Sequence, residues 1–225
     1  LTPKSVAYLK KAGEWTTTVK PWPQEIDEWT HLLHDASNNA VAEDTRVGPP
    51  RQIQWKAAPE WARSHEMRGT LHTMISAGGR IFAIMDEGIT GQRAGVPSEW
   101  TLIARDAFNG KRLWKRSASR IQPSLLVASG DRVYVALGGG EPISILDAAT
   151  GETIRELAGT EHTEEILYRA GCLHLVTNPH PDGETIEYYK SRLQRIVTPT
   201  VPNVQKSIVT IDVEDGTELW RKEDE

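Results

Sequence analysis

The sequence predicts an all-β chain built from about three repeated four-stranded antiparallel units, preceded by a short N-terminal linker or helix. Three observations carry this. A phrase recurs at Arg105–Trp114, Leu146–Ile154 and Ile211–Trp220, each an apolar run ending in Asp, a turn closing on Gly four residues later, and a second short run. Each copy is preceded by a Gly-introduced strand pattern: Gly79–Met85, Gly130–Leu137 and Ala170–Val176. The copies are also evenly spaced, since Asp106 to Asp147 and Gly130 to Gly171 are both 41 residues.

The phrase has a physical reading. An Asp carboxylate accepts hydrogen bonds from turn amides, and Gly supplies the positive φ that a tight hairpin turn needs. Fainter apolar stretches at 71–75, 125–128 and 166–168 add a fourth strand to each unit. A four-stranded meander repeating every 41 residues fits the roughly 40 to 50 residues of a propeller blade. Asp147 to Asp212 is 65 residues, so the third unit carries about 24 more, in the segment Asn178 to Gln205.

Taken in order, residues 1–28 read as a linker or the tail of a preceding domain, and 29–225 as the repeat region. Thr2 before Pro3 matches an N-cap, Ser5 to Lys11 has the length of two helical turns, and Gly13 fits a stop. Pro21-Trp22-Pro23 then breaks regular structure. Strands are expected near 52–56, 80–85, 102–105, 112–115, 132–137, 143–146, 153–157, 173–177, 207–211 and 218–221, with Trp114 and Trp220 buried between sheets.

These units resemble the pyrroloquinoline quinone (PQQ) repeat of the quinoprotein alcohol dehydrogenase-like propellers. That family's tryptophan-docking motif reads Ala, any, Asp, three of any, Gly, three of any, Trp. Ala104, Asp106, Gly110 and Trp114 match every fixed position. Asp212, Gly216 and Trp220 match in the third unit, with Thr210 for Ala; the second keeps Asp147 and Gly151 with Ile145 and Arg155 in place of Ala and Trp. Trp29, Asp35, Asn38, Pro49 and Trp55 are similar to the opening of such propellers. The resemblance implies a partial β-propeller forming an open arc. Family members close seven or eight blades, so a chain that begins at Leu1 and stops five residues after Trp220 is expected to be part of a longer polypeptide, or to need a partner at its open edges.

Composition narrows the function classes. The net charge is −5 with both signs interspersed, so the basic footprint of a nucleic-acid binder is absent. No run approaches the eighteen apolar residues of a membrane span. Cys172, the single cysteine, lies in an apolar strand pattern and reads as a buried structural thiol. One cysteine leaves the redox compartment open.

The chemical candidates read as structural. His31, His34 and Asp35 have helical ligand spacing, but the Asp-Ala-Ser-Asn-Asn that follows is turn chemistry and favours surface or turn hydrogen bonding. Ser76, Ser129 and Ser144 lack the nucleophile-elbow pattern, and Gly138–Gly140 has no helix after it to form a phosphate cradle. No catalytic or metal-ligating residue is assigned. Long connections on a rigid scaffold are where binding residues concentrate. Insertions at Glu87 to Glu99 and Asn178 to Gln205 leave from one face, which makes Trp100, Tyr188, Tyr189, Arg192 and Arg195 the candidate contact surface.

Two expectations follow from the resemblance. The first is a non-catalytic binding or scaffold propeller of a larger bacterial protein, extracytoplasmic as in the propeller lipoprotein of outer-membrane assembly, without cofactor in this chain. The alternative is a fragment of a quinoprotein dehydrogenase oxidising alcohols or sugars, which would need PQQ and calcium.

Overall fold

The computed structural model describes residues 2–46, 48, 51–57, 71–88, 98–119, 121–178 and 206–223. Among these, three four-stranded antiparallel sheets follow one another along the chain. Blade I is β3 (Leu71–Ala77), β4 (Arg80–Asp86), β5 (Trp100–Asp106) and β6 (Arg112–Ser117). Blade II is β7 (Leu126–Ser129), β8 (Arg132–Val135), β9 (Ile143–Asp147) and β10 (Thr153–Leu157). Blade III is β11 (Thr163–Arg169), β12 (Cys172–Thr177), β13 (Ser207–Asp212) and β14 (Glu218–Glu223). Each sheet is a simple meander, and the first strands β3, β7 and β11 lie side by side. That adjacency makes them the innermost strands of an open propeller arc.

The repeat extends to hydrogen bonds. Asp106 Oδ1 accepts the amides of Phe108 (2.9 Å) and Asn109 (3.0 Å), and Gly110 N–H donates to Asp106 O at 2.9 Å. Asp147 Oδ1 accepts Ala149 and Thr150 in the same way, at 2.9 and 2.8 Å, with Gly151 N–H on Asp147 O at 2.8 Å. Asp212 accepts Glu214 N–H at 2.8 Å, and Gly216 closes its turn at 2.9 Å. The three glycines sit at φ of 73°, 75° and 82°, where a Cβ is strained. A register shift falls beside each turn, at 104/105, 153/155 and 210/211.

Burial alternates along β3 and β12 but runs through consecutive residues in β4, β5 and β9, which are covered on both faces. Phe82, Ile84, Leu102, Ala104 and Trp114 of blade I form one core with Leu126, Ala128, Val133 and Leu146 of blade II, which continues into Leu173, Leu175 and Val209 of blade III. Phe82 and Trp114 have ring centroids 5.9 Å apart. Tyr134 of blade II stacks on Tyr168 of blade III at 5.1 Å. Burial, the largest cause, raises the pKa of Tyr134.

Four expectations are corrected. The N-terminus is not helical: β1 (Val6–Lys11) and β2 (Glu14–Val19) form a hairpin whose two turn residues, Ala12 and Gly13, have φ of 51° and 90°. The run Trp15-Thr16-Thr17-Thr18-Val19 is aromatic and β-branched, and it draws residues 6–11 into a ladder in which Gly13 serves a two-residue turn rather than a helix stop. Residues 52–56 form no strand, because no ladder partner lies beside them among the described residues. Trp220 is not buried but 47% exposed, since no sheet follows blade III among the described residues. Cys172 is only half-buried, being the first residue of β12 next to the turn.

Candidate interaction interface

Each inter-blade junction places a side chain from one unit against the glycine turn of the next. Trp114, at the middle of β6, is 8% exposed; its Nε1 donates to Ala148 O at 3.0 Å and its ring lies against Gly151. A Cβ added at Gly151 would lie 2.6 Å from Trp114 Cδ2, so glycine is required there by contact as well as by φ. The Arg116 guanidinium reinforces the junction, donating to Gly151 O at 3.0 Å and Thr153 Oγ1 at 2.8 Å.

Trp55 repeats this arrangement one step earlier. Its Nε1 donates to Ala107 O at 3.0 Å, a Cβ on Gly110 would meet its Cε3 at 2.5 Å, and Gln54 Nε2 donates to Phe108 O at 2.6 Å. Trp55 therefore stands to blade I as Trp114 stands to blade II, although it comes from an unpaired extended segment. At the next junction Arg155 occupies the indole's place: its Nη1 is 3.1 Å from a Cβ built on Gly216. Trp220 is the fourth member of this series, exposed beside Leu219 at the outer strand of the arc.

The lead-in segment crosses the hub. Ser76 N–H of β3 donates to Trp29 O at 2.7 Å, Ala128 N–H of β7 to Thr30 O at 3.0 Å, and Tyr168 N–H of β11 to His31 Nε2 at 2.9 Å. Three consecutive residues thus each satisfy one inner-edge amide, at the penultimate position of each inner strand. Trp29 N–H returns a bond to Ser76 Oγ at 3.0 Å, and Gly78 N–H donates to Glu28 Oε1 at 2.6 Å. Inner-strand amides have no ladder partner on the axis side, which is why they take these acceptors.

His31 and His34, for which surface or turn hydrogen bonding is expected, flank a turn closed by His31 N–H on His34 O at 3.1 Å, but they are buried, at 3% and 6% exposure, and not on the surface. His34 Nε2 lies 2.6 Å from Asp27 Oδ2, and Asp27 also accepts Glu43 N–H and Glu28 N–H, both at 2.7 Å. Burial pushes the Asp27 pKa up, but those amides and His34 outweigh it and hold the carboxyl below its ordinary value. The W-x-H-x-x-H spacing marks the segment in the sequence, but its partners lie up to 137 residues away.

Trp100 opens β5, half-buried, with its ring edge-on to His72 at 5.4 Å. Just before it, Glu87 N–H bonds Glu99 O at 2.9 Å, and Asp86 Oδ1 accepts Gly88 and Glu99 amides at 3.0 and 2.9 Å, which clasps the neck of the first insertion. Tyr188, Tyr189, Arg192 and Arg195 lie outside the described residues. A cleft of about 360 Å³ separates residues 2–5 and Trp22 from the turns of blades I and II. Arg80 on its wall is already bonded to Asp131 at 2.9 Å.

A calcium–quinone pair needs converging oxygen donors. Among the described residues no three His, Cys, Asp or Glu side chains are grouped to hold a metal ion, and Asp106, Asp147 and Asp212 spend their carboxylates on turn amides. Nor is any helix among the described residues long and apolar enough to cross a membrane.

A family model described as outer membrane protein assembly factor BamB matches residues 98–225. No curated protein matches the sequence. Among solved structures, the quinohemoprotein alcohol dehydrogenase from Comamonas testosteroni is 17% identical with a TM-score of 0.50, over 87% of this chain and 27% of that one. A europium-containing methanol dehydrogenase is 13% identical with a TM-score of 0.47, over 88% and 32%. BamB from Moraxella catarrhalis is 13% identical with a TM-score of 0.29, over 69% and 58%. The chain spans less than two thirds of each of these proteins.

Proposed function

From the premise that the chain belongs to the family described as outer membrane protein assembly factor BamB, a family of PQQ-like β-propellers, we propose that it is a non-catalytic binding or scaffold segment of a larger bacterial, extracytoplasmic propeller protein. The observation that carries this reading is the unequal finish of its two ends. The turn of blade I is covered by Trp55, whereas Trp220 at the far end is exposed with its indole unmatched by any described glycine turn. An arc with one covered and one bare junction is built to receive a further unit of the same kind, from the rest of the polypeptide or from a partner.

The turn carboxylates support the non-catalytic half of the proposal, since each is committed to backbone amides. The test is a PQQ titration in excess Ca²⁺, followed by quinone absorbance and by dye reduction with alcohols and aldose sugars. No binding and no turnover are expected. Saturable PQQ binding with substrate-dependent dye reduction would establish the dehydrogenase alternative instead.

A further inference from the structure

The three hub bonds are not chemically equal. Ser76 and Ala128 donate to backbone carbonyls, of Trp29 and Thr30, which cannot titrate. Tyr168 donates to an imidazole. A backbone N–H is an obligate donor, so His31 Nε2 must be bare and the ring's single proton sits on Nδ1. Nδ1 then donates to Thr30 Oγ1 at 2.7 Å, and that hydroxyl is free to donate to His34 O at 3.3 Å. Every member of the chain has one assigned role, and the whole depends on a neutral His31.

We propose that His31 is an acid-released latch that holds blade III, and only blade III, to the hub. A proton taken up at Nε2 sets a donor against the Tyr168 donor and abolishes that bond, while Ser76 and Ala128 keep theirs. Blade III is also the unit that carries the exposed Trp220, so the latch acts on the open end of the arc.

The surroundings set the direction of response. Burial, the largest cause, lowers the His31 pKa; Asp35 of the same segment pulls it up, and His34 pushes it down, with a net value below the ordinary 6.5. Behind His34 stands Asp27, and β11 presents Tyr168, whose ring rests on Tyr134 of β8. With the folded pKa depressed, the latch is fully in place above the ordinary imidazole value and is lost as pH falls through the folded one.

The test uses the whole chain in two measurements. Imidazole ¹⁵N spectra at neutral pH are expected to show His31 with its proton on Nδ1. Amide hydrogen exchange between pH 7.5 and 5, corrected for intrinsic rates, is expected to show Tyr168 protection falling by up to about tenfold per pH unit below the His31 pKa, with Ser76 and Ala128 unchanged. His31→Gln, which keeps an acceptor but cannot titrate, should flatten the Tyr168 profile, and if that variant does not fold the first two readouts still decide. A proton on Nε2, unchanged Tyr168 protection down to pH 5, or parallel loss at all three amides would overturn the proposal.

Discussion

Replacing Trp114 with alanine removes the best-seated indole in the arc. Its ring is 8% exposed, packs on Phe82 and Gly151, and donates to Ala148 O at 3.0 Å. Deleting a buried aromatic of this size costs about 3 to 5 kcal/mol, of which about 1 kcal/mol is the hydrogen bond whose acceptor is left in a dry junction. Trp114→Phe separates the two, keeping the ring and losing the donor, and is expected to cost about 1 to 2 kcal/mol. Trp220→Ala supplies the internal reference: a half-exposed indole with no turn beneath it should cost under about 1 kcal/mol. Urea unfolding followed by far-ultraviolet circular dichroism reads all three as shifts in midpoint at constant m. Equal losses for Trp114→Ala and Trp220→Ala would falsify the claim that blades are joined through seated indoles.

Three further outcomes follow from the same geometry. Gly151→Ala and Gly171→Ala both place a Cβ at positive φ, 75° and 82°, but only the first meets an indole, at 2.6 Å, so Gly151→Ala should cost about 1 to 3 kcal/mol more in urea unfolding; matched losses would mean that backbone strain alone requires glycine. The Asp147 carboxyl is held below its ordinary 3.8 chiefly by the Thr150 amide, with burial opposing and the Ala149 amide assisting, so its contribution is present above pH 3.8 and lost as pH falls through the folded value; Asp147→Asn removes that linkage, so the variant should be less stable than the parent at neutral pH but lose less stability on acidification, and an equal acid-induced loss in both would count against the turn as a source of acid sensitivity. Trp55→Ala bares the Gly110 turn, so a second copy's Trp220 gains a seat, and sedimentation should show head-to-tail association that Trp55→Ala/Trp220→Ala lacks; a variant that stays as monomeric as its parent contradicts the pairing.

What the sequence disclosed was local. Asp106 to Gly110 and its two echoes encode a turn within five residues, and the strands leading into it are short continuous apolar runs, so both are readable without knowing what lies across the sheet. The N-terminal hairpin is ambiguous in sequence because Thr2-Pro3 and Gly13 suit a helix start and stop as well as they suit the ladder that the β-branched residues 16–19 impose. The hub was hidden for another reason. His31 meets Tyr168 across 137 residues, and nothing within four positions of His31 signals that an inner-strand amide will need its nitrogen. Trp55 carries no docking signature because it works from an unpaired segment, whereas Trp114 announces itself in the second strand of a β-hairpin.

The two kinds of contact divide the labour of holding the arc. Indoles and Arg155 on glycine turns join each blade to its neighbour, so they act in series, and losing one opens a single junction. Residues 29–31 touch all three inner strands, so they act in parallel and set the angle among blades that the indoles alone leave free to hinge. A repeat array stabilised only in series accumulates error with each unit and must close to be rigid. An arc of three blades with a bare Trp220 has no such closure among its described residues, and the hub segment supplies the missing constraint. That is why the imidazole bond, the one titratable acceptor among the three that residues 29–31 offer the inner strands, is the point at which the proposed acid release would act on a blade without unfolding its sheet.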